Sequence, residues 1–164
     1  MFRKLAGVGA KFSRFADEGV KDSAGSALGG IPRRNHLGRK GSTFTVLIVD
    51  DDSTFRKALH ALFDSGSGFD ACVEAQSGVE AIAKTKQLLP NLAILDFSMP
   101  EMSGLQLARN LKAIAPELPI FMLTAEYDSD IEKEALSCGI TAVFSKLDDL
   151  APLVANARAV CGIE

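Results

Sequence analysis

Residues 44–59 read FTVLIVDDDSTFRKAL, and this stretch decides the fold. Its first part, FTVLIV at 44–49, is a β-branched and apolar run of strand length. The run stops at three consecutive carboxylates, Asp50, Asp51 and Asp52. After Ser53, a natural helix N-cap, Phe55, Ala58, Leu59, Leu62 and Phe63 recur at helical spacing. The stretch therefore predicts a short buried strand, a polar turn and an amphipathic helix.

Outward from there the same unit repeats. A second strand is expected at 69–74, with a helix from about Val79 to Leu88. LAIL at 92–95 is a third strand, ending at Asp96, and Leu107, Ala108, Leu111, Ile114 and Ala115 mark the next helix. IFML at 120–123 ends at Thr124 and precedes a weaker helix over 129–137. TAVF at 141–144 ends near Lys146, and Leu150, Leu153, Val154, Ala157 and Val160 stripe the last helix. Five strands alternating with five helices specify an α/β fold with a parallel sheet and helices on both faces. Right-handed crossovers leave few topologies, and the flavodoxin-like order 2-1-3-4-5 is the natural one.

Composition sets the outer bounds. The chain has 164 residues, 47% apolar and 24% charged, the balance of a globular domain with an extension. No apolar run is long enough to cross a bilayer. Cys72, Cys138 and Cys161 form no pairwise framework, which points to a reducing compartment and a cytoplasmic location. Cys72 and Cys138 are expected as small core residues, and His60 as a surface residue on its helix. With His36, these groups match no zinc-ligand spacing.

Charge divides the chain. Residues 1–42 hold nine Lys/Arg against three Asp/Glu, and residues 43–164 hold nine against eighteen, local balances of +6 and −9. We therefore expect a basic arm with a flexible linker over 1–42 and the folded domain over 43–164. Within the arm, Phe2, Leu5, Val8, Phe12 and Phe15 alternate with cations, so residues 2–15 suit contact with a membrane surface or an acidic protein. The acidic part lacks the cations that nucleic-acid binding needs, so no such binding is expected.

Ligands of an open parallel sheet bind beyond the carboxyl ends of its strands. Asp50 and Asp51 follow strand one and Asp96 ends strand three, its neighbour. Thr124 and Lys146 lie at the ends of strands four and five. Three close carboxylates repel one another, and Mg²⁺ with its oxygen ligands relieves that repulsion. A lysine ammonium and a threonine hydroxyl on the same rim suit phosphoryl oxygens, with Asp96 as an in-line nucleophile. Taken singly, the aspartate triplet has a lesser reading as a solvated helix cap, and Lys146 alone is more often a surface lysine. Their joint placement on one sheet edge favours chemistry.

VLIVDDDSTFRKAL (46–59), LAILDFSMPEMSGLQL (92–107), IFMLTAE (120–126) and AVFSK (142–146) together resemble the receiver domain of bacterial two-component response regulators. The resemblance covers residues 45–161. It implies that Asp96 accepts phosphate from the phosphohistidine of a sensor histidine kinase or a histidine phosphotransfer protein. It implies further that Asp50, Asp51, Asp96 and the Ser98 backbone carbonyl hold Mg²⁺, while Thr124 and Lys146 contact the phosphoryl group. Two positions depart from the family pattern. Leu147 replaces the proline after the lysine, so a trans peptide is expected there. Val143 replaces the aromatic residue three positions before the lysine, which removes the usual ring of the output switch.

These readings converge on a single-domain response regulator. Only Cys161–Glu164 follow the last helical stripe, so output is expected through binding of a downstream protein, onward phosphotransfer or the arm. Slow autodephosphorylation is expected in place of turnover by an ordinary enzyme. Two other readings share the residues: a Mg²⁺-dependent phosphohydrolase with an aspartyl-phosphate intermediate, and a non-phosphorylated interaction module.

Overall fold

The computed structural model describes residues 43–64 and 66–163. The expected arm, including residues 2–15, lies outside them. Ten elements alternate in the described part. They are β1 (Thr45–Val49), α1 (Ser53–Asp64), β2 (Ala71–Ala75), α2 (Gly78–Leu88), β3 (Leu92–Asp96), α3 (Gly104–Ile114), β4 (Ile120–Thr124), α4 (Ser129–Ser137), β5 (Ala142–Ser145) and α5 (Ala151–Cys161). The sheet is parallel throughout, in the order β2-β1-β3-β4-β5. It is the flavodoxin-like fold expected from the alternation of the two periodicities.

Burial explains the central strands. All five residues of β3 and of β4 are buried, as are Val46 to Val49 of β1. Such strands read as unbroken apolar runs because helices cover both of their faces. Leu47, Val49, Leu95 and Met122 pack in one core layer with Ala81 of α2 and Leu107 and Leu111 of α3. Val46, Ile48, Ile94 and Phe121 pack in the other, with Leu59 and Phe63 of α1 and Leu153 and Ala157 of α5.

Several local expectations are corrected. The cap of α1 is Asp52 and not Ser53: its Oδ1 accepts from the N–H of Thr54 at 2.8 Å and of Phe55 at 3.3 Å. Those bonds hold the Asp52 carboxyl below its ordinary range. Ser53 becomes the first helical residue, and Ala58, expected on the apolar face of α1, is exposed. Strand β2 begins at Ala71, because Phe69 turns edge-on against Phe63 with ring centroids 5.4 Å apart. Asp70 there accepts the Phe44 N–H at 2.7 Å. Strand β5 begins one residue late, and the Thr141 hydroxyl ahead of it accepts the Ile120 N–H at 3.2 Å. Cys72 and Cys138 are only partly buried. Burial, reinforced by the charges of Glu74 and Asp64, pushes the Cys72 thiol up to about 12.

Candidate functional site

The polar ends of the central strands meet on one edge. Asp50 follows β1, Asp96 closes β3, Thr124 closes β4 and Lys146 follows β5. Asp50, Asp96 and Thr124 are buried, with exposures of 1%, 4% and 2%, whereas Asp51 is exposed. Asp50, Asp51 and Asp96 each offer a carboxylate oxygen, and all three oxygens lie within 4.8 Å of one another. Lys146 Nζ reaches into this group, 2.7 Å from Asp50 Oδ2 and 3.0 Å from Asp96 Oδ1. The Phe55 ring lies under the same ammonium, 4.6 Å from centroid to nitrogen, a cation–π contact.

The electrostatics follow from burial and pairing. Burial pushes the Asp96 carboxyl above its ordinary range and the Asp50 charge adds to that, while Lys146 and the Ser98 N–H oppose it. For Lys146, burial works against the ammonium, but hydrogen bonds to Asp50 and Asp96 outweigh it and raise its pKa. One lysine cannot balance three carboxylates. The surplus negative charge and the hard oxygen donors are what a divalent cation such as Mg²⁺ fits.

The surrounding loops shape the pocket. Ser98, on the loop after β3, is exposed, and its N–H donates to Asp96 Oδ1 at 3.4 Å. A side chain at Gly104 would overlap the Asp96 carbonyl, so the first residue of α3 has to be glycine for the helix to sit this close to β3. A capping box between Ser103 and Gln106 fixes the start of that helix. The Thr124 hydroxyl donates to the Glu126 carbonyl and accepts the Glu126 N–H, both at 3.1 Å. No peptide bond among the described residues is cis, so the bond before Leu147 is trans as expected. Val143 is buried, and its neighbour Phe144 packs in the other core layer against Phe121, with centroids 5.3 Å apart.

Every site residue singled out from the sequence thus lies on this edge, and Asp50, Asp51, Asp96 and Lys146 form one cluster. The sequence reading missed Phe55 under Lys146, and it missed Arg56, whose guanidinium donates to the Asp50 carbonyl at 2.6 Å. It also left His60 as a surface residue. His60 is half-buried instead, its Nδ1 2.5 Å from Glu74 Oε1. Helical spacing put Phe55 on the apolar face but could not show that the face ends beneath a lysine 91 residues later.

Comparisons with known proteins agree with this geometry. Residues 46–158 match the family model for the response regulator receiver domain. The chain is 34% identical over 118 residues to the phosphate regulon transcriptional regulatory protein PhoB of Pseudomonas aeruginosa, covering 71% of this chain and 51% of PhoB. It spans about half the length of the curated relatives it matches first. Among solved structures, Vibrio cholerae chemotaxis protein CheY4 is 28% identical with a TM-score of 0.66, covering 73% of this chain and 99% of CheY4. The CheX–CheY–BeF3–Mg²⁺ complex of Borrelia burgdorferi contains a chain 29% identical with a TM-score of 0.66, covering 71% of this chain and 88% of that one. With two thirds of its length matched to one family model and the acidic edge intact, the chain belongs to the response regulator receiver domain family of two-component signalling.

Proposed function

We propose that the protein is a response regulator whose receiver domain takes a phosphoryl group on Asp96 from the phosphohistidine of a sensor kinase or histidine phosphotransfer protein. The observation that carries this reading is the buried Asp50–Asp96 pair bridged by Lys146, beside Asp51. An Asp96 carboxylate oxygen attacks phosphorus and forms the O–P bond. The N–P bond of the donor breaks, and its electron pair returns to the imidazole nitrogen. Lys146 favours the ionised form of Asp96 against the effect of burial and neutralises charge on the transferring group. The Thr124 hydroxyl gives up its carbonyl partner and donates to a phosphoryl oxygen. Asp50, Asp51, Asp96 and the Ser98 carbonyl would hold Mg²⁺, which supplies electrostatic stabilisation of the phosphoryl oxygens when bound.

On this reading residues 43–164 are the receiver unit, 1–42 a basic arm able to contact membranes through residues 2–15, and the protein works in the cytoplasm on a downstream protein. The match to the response regulator receiver domain supports this reading, and the Borrelia CheY complex with BeF3 and Mg²⁺ supports the cation. The test is incubation with acetyl phosphate and Mg²⁺, followed by mapping of the acyl phosphate. Label confined to Asp96, and absent from Asp96→Asn or in EDTA, is the expected result. Label that persists in Asp96→Asn refutes it.

A further inference from the structure

Each polar group of Asp50 has a partner. Its N–H donates to the Ala75 carbonyl of β2 at 3.2 Å. Its Oδ1 accepts the Asp52 N–H at 2.8 Å and its Oδ2 accepts Lys146 at 2.7 Å. Its carbonyl accepts the Arg56 guanidinium at 2.6 Å. Arg56 in turn is oriented from the edge strand, because its Nε donates to Glu74 Oε2 at 2.9 Å. The other oxygen of Glu74 takes His60. One turn of α1 is thereby tied to β2, and the planar fork of the guanidinium carries the tie to the main chain of the acidic loop. An ammonium on a flexible stem lacks the paired, fixed donors to span both acceptors.

We propose that Arg56, oriented by Glu74, is a positioning residue that sets the main chain of Asp50 and so the placement of the acidic loop toward a divalent cation. This rests on the reading of the acidic edge as a Mg²⁺ site, but the placement itself is measurable without metal. Charge alone predicts the opposite sign. Removing a cation next to three carboxylates tightens a bound cation through Coulomb attraction, whereas loss of positioning loosens it.

The experiment is calorimetric titration of the protein with Mg²⁺, alongside amide hydrogen exchange on the metal-free protein. Arg56→Met is expected to weaken Mg²⁺ binding about tenfold, the usual effect of losing a partner that orients a ligand. Arg56→Lys keeps the charge and is expected to weaken binding by a smaller factor. Glu74→Gln should weaken binding in the natural protein and change nothing in the Arg56→Met background, since it acts through Arg56. Without metal, exchange at the Asp52 amide should quicken in Arg56→Met while Leu47, in the middle of β1, stays protected. Mg²⁺ binding that is tighter or unchanged in Arg56→Met, or additive effects of the two substitutions, overturns the proposal. If the natural protein binds no Mg²⁺, the reading of the site fails, and an unaltered Asp52 amide overturns the positioning role as well. Should Arg56→Met not fold, Glu74→Gln and Arg56→Lys carry the same comparison.

Discussion

At the β1 side of the sheet edge, Asp50 is held by β2, by α1, by its own loop and by Lys146. At the β4–β5 side, the Thr124 main chain is paired with β5, but its hydroxyl bonds only to Glu126, two residues on. Tyr127 and Leu147 there are 40% and 80% exposed, and Ala135 is the one fully buried residue of α4. The Asp50 carboxylate is cross-linked to a distant strand end, whereas the Thr124 hydroxyl has only a local partner. Long-range ties make a group stay put, while local ties can be exchanged for a ligand without unpacking anything. The same edge therefore presents a fixed acidic wall and a yielding hydroxyl wall, and Lys146, following β5, reaches across to the acidic side.

That bridge is the most sensitive point. Lys146→Met leaves two buried carboxylates without their cation, and the metal-free protein is expected to lose about 3 kcal/mol of stability. Asp96→Asn on that background should restore part of the loss, because it removes one of the uncompensated charges. Thermal or urea unfolding in EDTA measures both. By contrast, Leu136→Ala on half-exposed α4 should change stability by less than about 0.5 kcal/mol. Equal losses would erase the distinction between the two sides.

The second largest effect is expected where α3 touches β3. Gly104→Ala drives a methyl into the Asp96 carbonyl and the Phe97 Cα, at a cost of about 2 kcal/mol. It should also slow phosphorylation, since the atoms displaced are those of the acceptor residue. A variant as stable and as reactive as the natural protein would show that this wall yields too.

A smaller effect at Glu74 sharpens the picture by pH. The hydrogen bond from His60, with help from Arg56, holds the Glu74 carboxyl below its ordinary range. A depressed carboxylate stabilises the fold above its unfolded pKa, and the contribution disappears as pH falls through the lower folded value. Glu74→Gln should therefore cost about 1 kcal/mol near neutrality and flatten the acid limb of the stability curve. Unfolding midpoints between pH 3 and 7 test this. Unchanged acid sensitivity would remove Glu74 from the anchored side.

Much of this edge was legible in the sequence because four apolar runs end at polar residues. Asp50, Asp96, Thr124 and Lys146 sit where strand period gives way, and the fold rule puts such ends together. What could not be read is what depends on pairing across the chain. Glu74 meets Arg56 and His60 at separations of 18 and 14 residues, and only the register of β2 against β1 brings them into reach. The cap of α1 was misread for a local reason: Asp52 and Ser53 are both good N-caps, and the choice depends on where the chain turns after Asp50. Likewise Phe69 has strand chemistry, but it finds Phe63 and leaves the strand to begin later.

The strand order also governs how the sheet is assembled during synthesis. β1 lies in the interior, so it waits for β2 on one side and β3 on the other. After β3, each new strand adds to the edge laid down last. β4, the five residues Ile120–Thr124 that end up wholly buried, is a bare apolar edge until β5 emerges. At ordinary ribosomal speed, with the next strand 18 residues further along the chain, that edge stays open for roughly 1–4 s. An unpaired edge invites other strands, so the interval between Thr124 and Ala142 is the vulnerable moment in this protein's biogenesis.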